Sequence, residues 1–208
     1  MKHTLAIILL FLITFTKAQD VKKLFEGSKL VWCGMDFTKS QMIGVKDVKP
    51  EVVVNEFLEK WNQPMVYEPD NFPLGSYFRK LNVYYDVQAV SDRNKTASVS
   101  TLFNENTVPY TRNEIEAILK DLKLTRNDGL GLVVFVDYFN KKKAEASFQL
   151  AFFDVATKKL VLLKRLTGIA QGAGLKAYWA GALGDALRKI TKNDLMTQWE
   201  AEAVSGKY

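Results

Sequence analysis

Among the side chains that do most enzyme chemistry, histidine and cysteine are almost absent. The chain holds one histidine, His3, and one cysteine, Cys33. His3 sits in an apolar amino-terminal segment, so removal of that segment would leave no histidine. That excludes Ser-His-Asp and Cys-His catalysis, histidine acid–base work and histidine-ligated zinc. A single cysteine makes no intramolecular disulfide and no cysteine-rich metal site. Cys33 stands between Trp32 and Gly34 in an apolar stretch, where a small buried residue is expected rather than a nucleophile. Carboxylate chemistry, lysine chemistry and oxygen-ligated Ca²⁺ or Mg²⁺ stay open. A glycosidase-like hydrolase needs two carboxyls facing each other across a cleft. The candidates are Asp36 at a strand end, Asp86 and Asp137 on strands, and Glu68 and Asp70 in a loop. Spacing does not say whether any two converge. No residue is therefore assigned to catalysis, to a metal or to a cofactor.

The other chemical motif is glycine-rich. Gly172-x-Gly174-x-x-Ala177 opens a helical stretch and fits a dinucleotide fingerprint, in which glycines let backbone approach a pyrophosphate at a helix amino terminus. The fingerprint belongs to a βαβ unit with a second parallel strand and an acidic residue about 20 positions on. After Ile190 the chain reads "TKNDLMTQWEAEAVSGKY", with no apolar strand, and Gly174 is followed by Leu175 rather than the Lys-Ser/Thr of a phosphate loop. The expected role is geometric. Gly168, Gly172 and Gly174 make a crossing, while Ala177, Gly181 and Gly184 keep the helix thin against a neighbour.

These residues must be held by elements that the hydrophobic pattern outlines. "KLVWCGM" (Lys29–Met35) reads as a strand, and "QMIGV" (Gln41–Val45) as a short second one. Pro50 begins a helix to Trp61, with Val53, Val54, Phe57, Leu58 and Trp61 at helical spacing. "NQPMVYEPDNFPLG" reads as a long loop whose Met65, Tyr67 and Phe72 cover part of the core. Lys80–Val90 alternates as a half-buried strand, and Thr96–Phe103 is a weaker strand. Thr111-x-x-Glu114 is a capping box before a helix carrying Ile115, Ile118, Leu119 and Leu122. Leu130–Phe139, Ala144–Asp154 and Lys159–Leu166 are joined by links so short that they must form an antiparallel meander. A helix bearing Leu175, Tyr178, Trp179, Leu183, Leu187 and Ile190 follows, then a tail, residues 192–208, that suits one more short helix. The fold expected is α+β: an antiparallel or mixed sheet with a carboxy-terminal meander, helices packed mainly on one face of a two-layer sandwich.

The amino terminus "MKHTLAIILLFLITFTKAQD" has a basic start, an apolar run of about 11 residues that falls short of the roughly 20 a transmembrane helix needs, and small residues at Thr16 and Ala18. Residues 1–18 are expected to be a secretory signal peptide and residues 19–208 one α+β domain, exported to the periplasm or beyond. No later stretch is apolar enough to span a membrane. The net charge of +6 falls to +4 without Lys2 and Lys17, too mild to demand nucleic acid.

Two passages carry a likeness. "KLVWCGMDFTKSQMIG" (Lys29–Gly44) and "GAGLKAYWAGALGDAL" (Gly172–Leu187) resemble motifs of a family of uncharacterised secreted proteins of Bacteroidetes. The meander and following helix resemble the end of periplasmic domains such as the amino-terminal domain of TolB and CsgG-like accessory proteins. Their D-x-x-T-G-x-L motif reads Asp154-Val155-Ala156-Thr157-Lys158-Lys159-Leu160 here, with Lys158 in place of the usual glycine. The second likeness implies an α/β sandwich that works through protein contacts and transfers no catalytic residue. The function expected is an exported, non-enzymatic domain that binds an envelope or secreted protein partner or a small ligand. Candidate interface residues are Trp199, Tyr67 and Phe72. The rival readings are a carboxylate hydrolase and a carrier of an apolar ligand.

Overall fold

The computed structural model describes residues 19–104, 106 and 108–206, so the signal-peptide reading falls outside the described residues. The sheet is built around its most apolar strands. β4 (Leu130–Asn140), β5 (Glu145–Asp154) and β6 (Leu160–Ile169) form the expected antiparallel meander. β1 (Lys29–Asp36) lies parallel to β4 on one side and parallel to β3 (Asn82–Tyr85) on the other. A short β2 (Gln41–Ile43) takes over the edge of β4 beyond β1. The sheet is mixed, in the order β3-β1-β4-β5-β6.

Alternation along the strands divides the core in two. Leu30, Trp32, Leu132, Val134, Phe148, Leu150 and Phe152 face the larger cluster. Most helices pack there: α1 (residues 19–26), α3 (Leu58–Tyr67), α4 (Leu74–Tyr77), α8 (Gly174–Lys192) and α9 (Leu195–Ser205). Val31, Cys33, Val133, Phe135, Ala151 and Phe153 face the other way, onto α5 (Gln88–Asn94) and α7 (Arg112–Asp121). The fold is α+β with helices mainly on one face, and a smaller helical layer covers part of the other.

Three readings of local pattern are corrected. The alternating stretch Lys80–Val90 gives only the four-residue β3, because Asp86 closes the ladder by donating its N–H to Trp32 O at 2.9 Å and the chain turns into α5. Thr96–Phe103 forms a helical turn, α6 (Val99–Leu102), not a strand: the Ser98 side chain accepts from Thr101 N and captures a helix-start donor. The supposed loop from Gln63 is mostly helical. Pro50 opens α2 (Pro50–Val52) as expected, a single π turn follows at Val53–Phe57, and α3 then runs through the buried Pro64 to Tyr67. Met65 and Phe72 are buried as expected, whereas Tyr67 is 76% exposed.

The glycines serve close approach. A Cβ on Gly168 of β6 would stand 1.8 Å from Ala182 O of α8, and one on Gly181 would stand 2.1 Å from Gln171 O. β6, which leads into them, is antiparallel to its neighbour, and α8 is followed by α9 rather than a strand. The βαβ context of a dinucleotide site is therefore missing. At the β5–β6 turn, Asp154 accepts from Ala156 N at 2.9 Å and from Thr157 Oγ1 at 2.8 Å, and Lys158 takes φ of +58°. Lys158 thus takes the left-handed region that favours glycine.

Candidate functional site

Of the five candidate carboxylates, Asp36, Asp86 and Asp137 are buried, and each accepts hydrogen bonds from its neighbours. Asp36 accepts from Thr38 N (2.9 Å), Thr38 Oγ1 (2.5 Å), Arg93 Nε (2.8 Å) and the Tyr110 hydroxyl (3.3 Å). Burial and the Asp36 charge push the Tyr110 phenol up to about 12, so it remains a donor at neutral pH. Asp137 accepts from Ser147 Oγ (2.8 Å) and Gln149 Nε2 (2.6 Å) and forms an ion pair with Arg165 (2.8 Å). Asp86 accepts from Thr125 N, Thr125 Oγ1 and Arg126 N. Asp36 and Asp137 are connected, because Gln149 also donates to Tyr110 O at 3.0 Å. What they share is a packed hydrogen-bond network roofed by Tyr110, not an open cleft. Glu68 pairs with Lys176 at 3.7 Å, and Asp70 is exposed.

Of the interface candidates, Trp199 is corrected. It is 4% exposed and its ring lies 5.9 Å from that of Phe152, so it belongs to the protein's own core. Met196, Trp199 and Ala203 share one buried stripe on a helix that also carries Thr197, Gln198, Glu200 and Glu202. Phe72 is buried as well, which leaves Tyr67 as the exposed member.

Tyr67 stands at the rim of a crevice of about 350 Å³ at the carboxyl ends of β1 and β3. Topology places the opening there. From β1 the chain crosses to β3 through α2–α4 on the larger face, and from β3 it leaves through α5 and α7 on the smaller face. Adjacent parallel strands whose connections depart to opposite faces leave a gap between the departing segments, and open α/β sheets bind ligands at such points. Here the π turn and α3 form one wall, with Val54, Asn55, Leu58 and Gln63, and α5 forms the other, with Gln88, Ser91 and Lys95. π turns widen a helix locally and recur at functional sites.

The crevice floor answers a backbone problem. β1 pairs with β3 only as far as Trp32, and Gly34, at φ of +105°, shifts the register. The backbone beyond needs other partners. Asn62 of α3 accepts from Met35 N at 2.6 Å and donates to Met35 O at 3.1 Å. Asn94 of α5 accepts from Phe37 N at 2.8 Å and donates to the same Met35 O at 2.7 Å. Both amides are buried and line the crevice, and each carries a second N–H hydrogen. Sequence reasoning missed both. The only signal was an asparagine on the apolar side of a helix, Asn62 next to Trp61.

A wider, open groove of about 680 Å³ runs between Phe57, Phe72 and the first turns of α8. Its rim charges Glu68 and Lys176 face each other, and its α8 wall is the small-residue face Ala177, Ala180, Gly181 and Gly184. Buried amide donors distinguish the smaller crevice. No cluster of three or more metal-ligating side chains occurs among the described residues, and no helix there is long and apolar enough to cross a membrane.

No protein-family model matches the chain, and no curated protein matches it. Among solved structures, a hypothetical protein of Chlamydia trachomatis is similar over 86% of this chain and 94% of its own, at 12% identity and a TM-score of 0.30. A likeness that distant carries no argument about this chain.

Proposed function

We propose that this chain is an exported, non-enzymatic binding domain whose small ligand enters the crevice between α3 and α5. The observation that carries the reading is the pair of buried amides, Asn62 and Asn94, at the floor of a gap where the chain parts to opposite faces of the sheet. At about 350 Å³ the gap lies at the small end of the roughly 300–1,000 Å³ range of ligand pockets. Asp36, Asp86 and Asp137 are buried and hydrogen-bonded, which favours binding over catalysis at these three. The void among Met35, Trp61, Met65, Phe139 and Trp179 is about 10 Å³, too small for an apolar cargo. The likeness to secreted Bacteroidetes proteins and the amino-terminal pattern support export.

A screen of fluorinated fragments by ligand-observed NMR tests the site. Fragments that bind the protein should be lost in Ser91→Trp, which fills the crevice from α5, while the melting temperature holds. Fragments retained by that variant, or no fragment bound at all, would overturn the reading.

A further inference from the structure

We infer that the crevice takes a neutral ring rich in hydroxyls, the end unit of a saccharide; this rests on the crevice being the binding site. Charge is the first argument. The charged groups of the lining are Glu59 and Lys95, of opposite sign, and Lys95 Nζ already sits 2.6 Å from Asp92. A lining so balanced selects no ionic ligand.

Hydrogen-bonding capacity is the second. Among the described residues, the side chains of Asn55, Gln63 and Ser91 make no hydrogen bond, and Gln88 uses one N–H on Asp92 and keeps its carbonyl oxygen. Asn62 and Asn94 each retain one N–H at the floor. Donors and acceptors are therefore interleaved around the opening. A hydroxyl both donates and accepts, so a ring bearing several satisfies such a lining in many orientations, where a carboxylate, which only accepts, would leave amide oxygens unpaired.

The third argument is the apolar surface between these groups. Val54, Leu58, Val66 and Val87 form patches among the amides, and Tyr67 stands 76% exposed beside them. The C–H faces of a sugar ring are apolar while its edge is polar, which matches that alternation. An exposed tyrosine also offers a flat amphipathic face with little rotamer entropy to lose.

A peptide is the competing occupant, and the floor argues against it. Extended peptides bind sheet edges through free backbone donors and acceptors. At the open end of β1 those groups, Met35 N, Met35 O and Phe37 N, are held by Asn62 and Asn94. No strand can add there without first displacing both amides.

Saturation-transfer NMR with maltotriose, cellotriose, xylotriose, tri-N-acetylchitotriose and blocked tri-alanine decides the matter. At least one saccharide should bind saturably, with an affinity that changes less than about twofold between about 50 and about 500 mM NaCl, because no net charge is screened. Tyr67→Ala and Gln63→Ala, at exposed and half-buried positions, should each weaken it about tenfold, the scale of one lost anchor contact, at unchanged melting temperature. No signal from any of the four saccharides overturns the inference. If tri-alanine binds instead and Ser91→Trp abolishes it, the ligand class falls and the crevice stands. Saccharide binding that survives Ser91→Trp lies elsewhere, and both the class and the site fall.

Discussion

Individual residues show how reactivity is suppressed in this chain. Cys33 makes no disulfide, yet its position is not a liability. Burial pushes its thiol up to about 12, and Asp86 adds to the shift, so almost no thiolate exists at neutral pH. Iodoacetamide at pH 8 should leave Cys33 unmodified in the folded protein and modify it fully in denaturant, as read by intact mass. Rapid native labelling would mean that the smaller face of the sheet opens readily. The sequence supported this reading because Cys33 lies inside a run of large apolar residues. It did not show the fate of Asp36, Asp86 and Asp137. Their partners, Arg93, Thr125 and Arg165, are distant in the chain and come together only through strand order.

At the level of elements, two devices set the helices against the sheet. The first is the capping box of α7, which was plain in the spacing Thr111-x-x-Glu114. Glu114 also meets Lys39 at 2.8 Å, and that contact together with the Thr111 bonds draws its carboxyl down to about 2. A folded-state value below the ordinary 4.5 means that this stabilisation is complete above pH 4.5 and is lost as pH falls toward 2. Melting curves should show the wild type losing more stability than Glu114→Gln across that window; parallel curves would remove the box from the account. The second device is the glycine contact between the β6–α8 crossing and α8. Gly181→Leu should destabilise by about 1–3 kcal/mol or more, since its side chain meets the Gln171 carbonyl. A denaturant titration that shows no change would mean the crossing can move away. Short-range signals such as caps, glycines and tight meander links were legible in the sequence. The early end of β3, α6 and the extension of α3 through Pro64 were not, since alternation and proline are only local preferences and packing overrode them.

Across the whole molecule, helices from the two faces of the sheet meet at one backbone oxygen of β1. Asn62 and Asn94 come from helices on opposite faces, and both donate to one oxygen, that of Met35. Residues 62 to 94 therefore form a segment fastened to β1 at both ends by side chains and, between them, by the β3 ladder. Such a segment behaves like a clasp: cutting the strap between its two fastenings need not release it. A protease site inserted in the exposed turn at Asp70 should yield, after cleavage, two fragments that co-elute and melt together near the intact protein. The same cut in an Asn62→Leu, Asn94→Leu background should let the fragments part at lower denaturant. Separation of the wild-type halves on cleavage would show that covalent continuity, not the β1 ladders and the asparagine pair, holds them. If the halves stay together, this protein can be made from two separate chains, and its crevice, whose two walls would then belong to different polypeptides, becomes a reporter that exists only when both are present.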